Sequence, residues 1–481
     1  MLSLHLPPPA RLQRLAVSLC LGAMATLPLP GRAWSAADLD TLTQQLTLQL
    51  AGSYKVQETG WSFLSPADCF QGGRQCFFSN PDGVYGMPAF SRSGYDMARS
   101  MAPTEAWVML LEMPPQARYT GITPYLHTRC YDPAKGDPTT GCVTVLESLS
   151  DSLHQTALRG TESSTGGTTG LSAVVMTGDA ATAGAVTSAL GNLGYPVNRA
   201  LATLPLPVNT VPLRMGKGAQ DDRFTVMMRL TYPDNASALD DYIARSPVRL
   251  LRLTPQADRA AQTIAPPVDK VPGTGVKEDR SLKSARDELA SLLASRYQGL
   301  YTVKERLSPV PVATRHFRCT TYALPCNADN PDAIYTLDLQ GYVPASRGEK
   351  LLFVGVNHTS TGKTSYLMHA LYDASHNAGV LGTSDAWLTG TARLMAGPDA
   401  GKMRYAALLD QLYAFTLGYD CTGEVACRQV PEPTTQTPVG ISFGQPMDLS
   451  ARYYLEPATD TRPDTQEVIL HRVFQLTPLS P

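Results

Sequence analysis

The sequence has few charged residues and no surplus of either sign. Of its 481 residues, 40 are Lys or Arg and 42 are Asp or Glu, which gives a formal net charge of −2. Binding to nucleic acid depends on clustered Lys and Arg side chains that neutralise phosphates. We therefore expect no nucleic-acid partner for this chain.

The sequence also lacks an apolar run of the length that spans a bilayer, which is about 20 residues. The run at 15–30 is shorter and ends in Pro28 and Pro30. It follows Arg11 and Arg14, and Ala33-Trp34-Ser35 offers the small residues that a signal peptidase reads. These features predict a signal peptide at residues 1–35, no transmembrane segment in the mature chain, and a periplasmic or extracellular location.

The chain repeats its own motifs in the same order with different spacers, which predicts a tandem duplication. A Pro- and Gly-rich stretch separates the two copies and is typical of a linker. We expect a first α+β domain at 36–255, a linker at 256–280 and a second α+β domain at 281–481. Four pairs of segments carry the repeat: 52–58 and 299–305, 69–85 and 319–335, 120–132 and 361–373, and 249–255 and 472–478.

Closely spaced Cys-x2-Cys pairs, which are typical of zinc sites, are absent. Without Cys20 in the signal peptide, eight cysteines remain, and an even number in an exported chain favours disulfides. Two pairs occupy equivalent places in the repeats, and the other four cysteines pair by proximity. The predicted bonds are Cys69–Cys76, Cys130–Cys142, Cys319–Cys326 and Cys421–Cys427.

The pattern within each copy predicts an α+β fold with mainly antiparallel sheet. Each copy opens with an amphipathic helix, marked by leucines at 39, 42, 46 and 50 and at 282, 289, 292 and 293. A βα element is expected in each, with a strand at 174–179 before an Ala-rich helix, and a strand at 393–399 before a helix that reaches Gly418. Strands are expected at 107–113, 224–232, 248–253, 351–356, 451–455 and 468–476.

The sequence contains a set of short motifs: the Asn-Pro-Asp-x-x-Tyr segment, a later Thr-Gly-Asp before a helix, and the ending Arg-Leu-Leu-Arg-Leu-Thr-Pro. In these motifs the chain resembles uncharacterised bacterial exported proteins of unknown function. The resemblance covers most of each copy. It implies export and a sheet-rich fold, and it identifies no catalytic residue in this sequence.

Two short motifs match enzyme signatures only in part. Gly440-x-Ser442-x-Gly444 fits the nucleophile elbow of serine hydrolases, but a strand-like run follows it where that elbow needs a helix. Gly362-Lys363-Thr364 fits the end of a phosphate-binding loop, but Asn357 stands where the loop needs glycine. We interpret both as bends.

Histidines concentrate in the second copy, where His358, His369 and His376 accompany Asp373. Zinc accepts two or three histidines with a carboxylate. The first copy has other residues at these places, which favours surface histidines. We expect no metal and no cofactor.

The polar residues that recur in both copies are the candidate ligand-binding residues. They can build turns, which we favour, or they can form a site, either as acid–base pairs or as groups that bind a hydroxyl-rich ligand. The expected function is a binding or structural module of the cell envelope, with a small molecule, a glycan or an envelope component as partner. The alternative is an extracytoplasmic hydrolase or lyase acting on a glycan or small polar substrate, and the sequence does not decide whether the protein is an enzyme. The candidates are Asn80, Asp82, Tyr85, Asp132, Asn330, Asp332, Tyr335, His369 and Asp373.

Overall fold

The computed structural model describes residues 34–70, 76–90, 96–162, 169–208, 213–265, 268–306, 308–312 and 318–479. The predicted signal peptide lies outside these residues except for its last two, Trp34 and Ser35. Trp34 is buried against Tyr195, with the two rings 6.1 Å apart. We call residues 34–255 the first half and residues 281–479 the second half.

The first half consists of these elements: α1 (Leu39–Leu50), β1 (Tyr54–Leu64), α2 (Pro66–Phe70), β2 (Gly83–Ala89), β3 (Arg99–Ser100), β4 (Ala106–Glu112), β5 (Ala117–Tyr131), β6 (Gly141–Ser148), β7 (Leu153–His154), β8 (Leu171–Thr177), α3 (Ala180–Asn192), α4 (Val197–Ala200), β9 (Leu201–Pro205), β10 (Arg223–Pro233), α5 (Ala236–Arg245) and β11 (Val248–Pro255).

The second half consists of these elements: α6 (Arg280–Tyr297), β12 (Tyr301–Glu305), β13 (Val310–Val312), α7 (Arg318–Tyr322), β14 (Ala333–Leu337), β15 (Leu339–Tyr342), β16 (Lys350–Val356), β17 (Tyr366–Asp373), β18 (Ala378–Ser384), α8 (Asp385–Leu388), α9 (Thr391–Ala396), β19 (Leu412–Gly418), β20 (Cys427–Gln429), β21 (Met447–Tyr454) and β22 (Arg472–Pro478). Short 3₁₀ helices lie at Ala36–Asp38, Pro133–Lys135, Gly397–Lys402 and Ala406–Gln411.

The two halves have the same strand order, and each forms two sheets. In the first half the long strand β1 belongs to both, with the orders β1-β11-β4-β8-β9 and β1-β2-β10-β5-β6. In the second half β12 and β13 divide this role, with the orders β12-β22-β16-β19-β20 and β13-β14-β21-β17-β18. All neighbours pair antiparallel except the edge pairs β8–β9 and β19–β20. The predicted α+β class with mainly antiparallel sheet is confirmed.

Alternation of side chains in the strands places the main core of each half between its two sheets. In the first half, Trp107 and Met109 of β4 pack with Ile122 of β5 and Val226 of β10. In the second half, Phe353 and Phe415 occupy the same layer. A second core lies on the outer face of one sheet of each half and is covered by helices. The opening helix of each half contributes the leucines that the periodicity predicted, such as Leu46 and Leu289.

The βα element predicted for the first half is present, because Asp179 caps α3 by accepting a hydrogen bond from the Thr182 N–H at 2.8 Å. The element predicted for the second half is wrong. Residues 391–396 form helix α9 and residues 412–418 form strand β19. The run Leu412–Gly418 is apolar on both faces because β19 is buried between β16 and β20, as is typical of an interior strand.

All four predicted disulfides are present in the structure. Bonds of this kind persist in oxidising compartments, so their number is consistent with a protein outside the cytoplasm. None of the helices in the described part of the chain is both long and apolar enough to cross a membrane.

Candidate functional site

The disulfide-bonded loop of each half pairs with an edge of the other half. In one direction, the Cys76 and Phe78 N–H groups donate to the carbonyls of His376 and Asn377 at 3.1 and 2.7 Å. In the other direction, Cys326 and Ala328 donate to the carbonyls of Val145 and Leu146 at 2.7 and 3.0 Å. Since corresponding positions make reciprocal contacts, the two halves meet as the subunits of a symmetric dimer do.

The Asn-Pro-Asp segments build turns, as the sequence predicted. The side-chain oxygens of Asn80 and Asn330 accept hydrogen bonds from the backbone N–H of Asp82 and Asp332, at 2.8 and 3.1 Å. Beyond this local role, each aspartate reaches into the opposite half. Tyr119 donates to Asp332 at 2.8 Å, and Tyr366 donates to Asp82 at 3.1 Å.

Burial in this interface raises the pKa of both aspartates. The pKa of Asp332 rises to about 7, mainly because the carboxylate is desolvated, while the Tyr119 hydroxyl opposes the shift. The pKa of Asp82 rises for the same reason, opposed by the Tyr366 hydroxyl and by the positive charge of Arg428. Each carboxyl is therefore held in a setting that favours its neutral form.

Two buried arginines occupy corresponding places in the two halves. Arg229 lies opposite Tyr85 in the β10–β2 pair, and Arg452 lies opposite Tyr335 in the β21–β14 pair. The Arg229 guanidinium donates to the Tyr125 hydroxyl at 2.6 Å. The two arginine side chains are 3% and 4% exposed, so both charges are withdrawn from water.

The arginines complete the reciprocal pattern. Arg229 donates to the Ala328 carbonyl of the second half, and Arg452 donates to the Phe78 carbonyl of the first half. Arg452 also donates to the hydroxyls of Tyr372 and Tyr454, at 2.8 and 3.2 Å. Each guanidinium therefore contributes one hydrogen bond that joins the halves and others that fix it within its own half.

Neither arginine has a carboxylate within ion-pair distance in the part of the chain that the structure describes. Their polar partners are hydroxyls and backbone carbonyls. Burial raises the pKa of Tyr125 and of Tyr372, which keeps these phenols neutral near pH 7. The direct hydrogen-bond partners of both buried guanidinium groups are thus neutral.

A cavity of about 480 Å³ lies between the halves in front of these arginines. Most of its wall is apolar. Its charged lining consists of Arg229, Arg452 and the carboxylates of Asp68, Asp329 and Asp448, and the phenols of Tyr85, Tyr335 and Tyr372 also line it. Leu337 belongs to the lining and is 44% exposed, so the cavity reaches the surface of the described structure. The apolar side chains of the wall are Leu64, Phe77, Phe78, Met87, Met97, Met227, Val312, Leu337, Leu339 and Leu449.

Among the candidate residues from the sequence, only Tyr85 and Tyr335 line this cavity. The four turn residues Asn80, Asp82, Asn330 and Asp332 lie behind it in the interface. Asp132 and Asp373 form turns elsewhere, where they accept hydrogen bonds from the backbone N–H of Ala134 and Ser375.

The three histidines that the sequence concentrates in the second copy have different partners in the structure. His358 pairs with Glu278 at 2.8 Å, and His376 pairs with Asp373 at 2.9 Å. His369 lies in the core of the second half. The prediction of surface histidines is wrong for His358 and His369, which are 1% and 5% exposed, because each has buried polar partners.

Sequence reasoning missed the arginines that define the cavity. The available signal was a single charged residue inside an apolar strand at matching places, in Met227-Met-Arg-Leu230 and Ser450-Ala-Arg-Tyr453. The strand register also matches different residues from the motif comparison at one pair of segments. Because Arg229 corresponds to Arg452, Tyr119 and Tyr125 correspond to Tyr366 and Tyr372, six residues away from the motif-based match.

Neither short enzyme signature has the surroundings that it requires. Ser442 lies between β20 and β21, so no helix follows it. Lys363 is buried and paired with Glu456 and Glu467, at 2.8 and 2.7 Å, so its charge is already neutralised. Both segments act as bends between strands.

Comparison with known proteins gives structural similarity alone. No protein-family model matches the chain, and no curated protein matches it. One solved structure with similarity is a putative uncharacterized protein from Burkholderia cenocepacia, with 11% identity, a TM-score of 0.37, and coverage of 91% of this chain and 87% of that one. Another is a protein from Vibrio parahaemolyticus, with 8% identity, a TM-score of 0.36, and coverage of 92% and 97%.

Proposed function

We propose that this protein is an extracytoplasmic binding protein that holds one anionic, largely apolar small molecule in the cavity between its halves. The observation that carries the proposal is the pair of buried arginines, Arg229 and Arg452, which face a mostly apolar cavity and have no carboxylate within ion-pair distance in the described structure. The four disulfides support a location outside the cytoplasm. The predicted signal peptide and the resemblance to exported proteins belong to the same proposal.

The argument for an anion rests on the energetics of burial. A buried charge is costly unless a counter-charge and hydrogen bonds compensate it. Both arginines have hydrogen bonds to hydroxyls and carbonyls, but neither forms a direct ion pair with a carboxylate in the described structure. Of the five N–H donors of a guanidinium, the bonds to hydroxyls and carbonyls use three on each arginine, which leaves two for a ligand. Carboxylate and phosphate groups match these donors in charge and geometry.

The volume and the apolar wall of the cavity indicate the size and polarity of the remainder of the ligand. Its volume, about 480 Å³, lies within the range of roughly 300–1,000 Å³ that small-molecule sites occupy. Methionine, leucine and phenylalanine side chains form most of the wall, so the ligand body should be apolar. An amphiphile such as a fatty acid combines both features.

The equal strand orders and the reciprocal contacts support a tandem duplication as the origin of the site. Domains at 36–255 and 281–481 would then behave as fused subunits with one shared cavity. The stretch predicted as a linker contacts both halves, since Arg259 pairs with Asp179 and Glu278 pairs with His358. We favour binding over hydrolysis because the two turn carboxyls whose pKa values are raised by burial, Asp82 and Asp332, are not part of the cavity wall.

The proposal is tested by thermal unfolding with three ten-carbon ligands: decanoate, decanol and decyltrimethylammonium. Decanoate should raise the Tm of the wild type, because a ligand that binds only the folded state stabilises it by mass action. Decanol and the cationic ligand should shift the Tm by less than a tenth as much at equal concentration.

Matched variants assign the effect to the arginines. Arg452→Met should abolish the decanoate shift, whereas Arg472→Met should retain it, since Arg472 pairs with Glu305 at the surface. Equal shifts from decanoate and decanol, or a full shift in Arg452→Met, would refute the anion site.

A further inference from the structure

A second polar constellation lies in the core of the second half, away from the cavity wall. Asp338 stands between β14 and β15, His369 lies on β17, and His471 comes directly before β22. Their side chains are 0%, 5% and 0% exposed. Three strands from two facing sheets therefore bring one carboxylate and two imidazoles into an interior that is otherwise apolar and aromatic.

The three groups are close together. Asp338 Oδ2 lies 3.1 Å from His471 Nε2 and 4.0 Å from His369 Nδ1. One ligand atom from each residue lies within 4.8 Å of the others. In a tetrahedral zinc site with bonds of about 2.0–2.1 Å, neighbouring ligand atoms stand about 3.3 Å apart. The observed spacing leaves room for one ion after a small inward shift of His369.

The atoms that face one another have no hydrogen bond in the described structure. This holds for both oxygens of Asp338, for Nδ1 of His369 and for Nε2 of His471. Buried polar atoms normally find partners, because an unsatisfied one costs about 1–3 kcal/mol. Three residues that each bring an unsatisfied atom to within 4.8 Å of the others indicate a missing shared partner.

The outward nitrogens of both imidazoles are held by tyrosines. His369 Nε2 lies 2.6 Å from the Tyr413 hydroxyl, and His471 Nδ1 lies 3.1 Å from the Tyr453 hydroxyl. A proton on each outward nitrogen leaves a lone pair on the inward nitrogen. Metal-binding histidines are commonly oriented in this way by a second hydrogen bond.

The first half demonstrates that the fold does not require polar groups at this place. The strand registers match Asp338, His369 and His471 with Pro88, Ile122 and Val248. Ile122 and Val248 belong to the main core of the first half. The polar trio is therefore a special feature of the second half.

We propose that Asp338, His369 and His471 bind one divalent transition-metal ion, with Zn²⁺ as the best match, and that a water molecule completes the coordination. Two imidazole nitrogens favour zinc over Mg²⁺ or Ca²⁺, which prefer all-oxygen sites. This assignment revises the sequence-based expectation that the chain binds no metal. Because the site is buried, the ion stabilises the second half by tying its two sheets together.

The experiment measures metal content in the full chain, exported to an oxidising compartment with added Zn²⁺ and purified without chelator. Elemental mass spectrometry should find about one zinc per chain in the wild type. The double variant His369→Ile/His471→Val, which installs the residues of the first half, should carry less than about a tenth of that. His376→Ala should keep the full content, since His376 pairs with Asp373 elsewhere.

A second measurement keeps the test decisive if the double variant fails to fold. Wild-type protein stripped with chelator should lose thermal stability, and Co²⁺ should restore it and give the visible absorption of a four-coordinate nitrogen and oxygen site. Wild type that binds neither Zn²⁺ nor Co²⁺ would overturn the proposal and leave a buried His–Asp ion pair. Equal zinc content in a folded double variant would overturn it as well.

Discussion

Asp332 should make the stability of this protein fall as the pH rises from 4 to 8. Its side chain is 1% exposed, Oδ2 accepts one hydrogen bond from Tyr119, and Oδ1 has no hydrogen-bond partner in the described structure. Burial raises its pKa from 3.8 to about 7. The folded state therefore retains a proton that the unfolded state has released across this interval.

The sign and size follow from proton linkage. A raised pKa contributes stability that is fully present below pH 3.8 and is lost as the pH rises through 7. Since one pKa unit corresponds to about 1.36 kcal/mol, the contribution of Asp332 amounts to at most about 4 kcal/mol. In Asp332→Asn this contribution is absent, because asparagine does not ionise and still accepts from Tyr119.

The assay is urea unfolding of wild type and variant at several pH values between 4 and 8. The free energy of unfolding of Asp332→Asn, relative to wild type, should rise by up to about 4 kcal/mol across this range. Asp82→Asn should change in the same direction. Asp399→Asn, at a carboxyl whose pKa is lowered by Lys402, should run nearly parallel to wild type, because that linkage acts below pH 4. Parallel curves for wild type and Asp332→Asn would refute a raised pKa at this carboxyl.

Three further predictions concern packing and can be measured by chemical unfolding. Gly379→Ala should destabilise the protein by about 2 kcal/mol, because the added Cβ would lie 2.5 Å from the carbonyl oxygen of Ser79, directly before the first Asn-Pro-Asp turn. Gly184→Ala, in a helix with open space around it, should be neutral or stabilising, and equal effects of the two variants would contradict the close approach. Tyr366→Phe should cost about 1–2 kcal/mol by removing the hydrogen bond to Asp82, and no loss would contradict that contact. A chain that begins at residue 36 should be about 3 kcal/mol less stable than one that begins at Trp34, since this buried ring is lost, and equal stability would contradict its packing.

Features that depend on residues close together in the chain can be predicted from the sequence. The opening helices follow from leucine spacing, and the disulfides from short loops in corresponding places. The Asn-Pro-Asp turns follow from the preference of each residue for turn geometry. The α+β class follows from the mixture of both periodicities.

Features that depend on contacts between distant segments were not predictable in this way. The segment that contains strand β19 is predicted as a helix because Leu408, Leu409, Leu412 and Phe415 follow a helical spacing. Its burial on both faces depends on the neighbouring strands, which the local sequence does not show. Arg229 and Arg452 are recognised as candidate binding residues only once the cavity between the two halves is known. His471 was not grouped with His369, because about one hundred residues separate them and only the packing of two sheets brings them together.

The most direct test of the proposed binding function is isothermal titration calorimetry of decanoate against the wild type, Arg229→Met and Arg452→Met. We expect one molecule bound per wild-type chain, because the two halves share a single cavity, and no measurable binding to either variant. Undiminished binding to both variants, or two equal sites per chain, would contradict a shared anion site built on the two arginines.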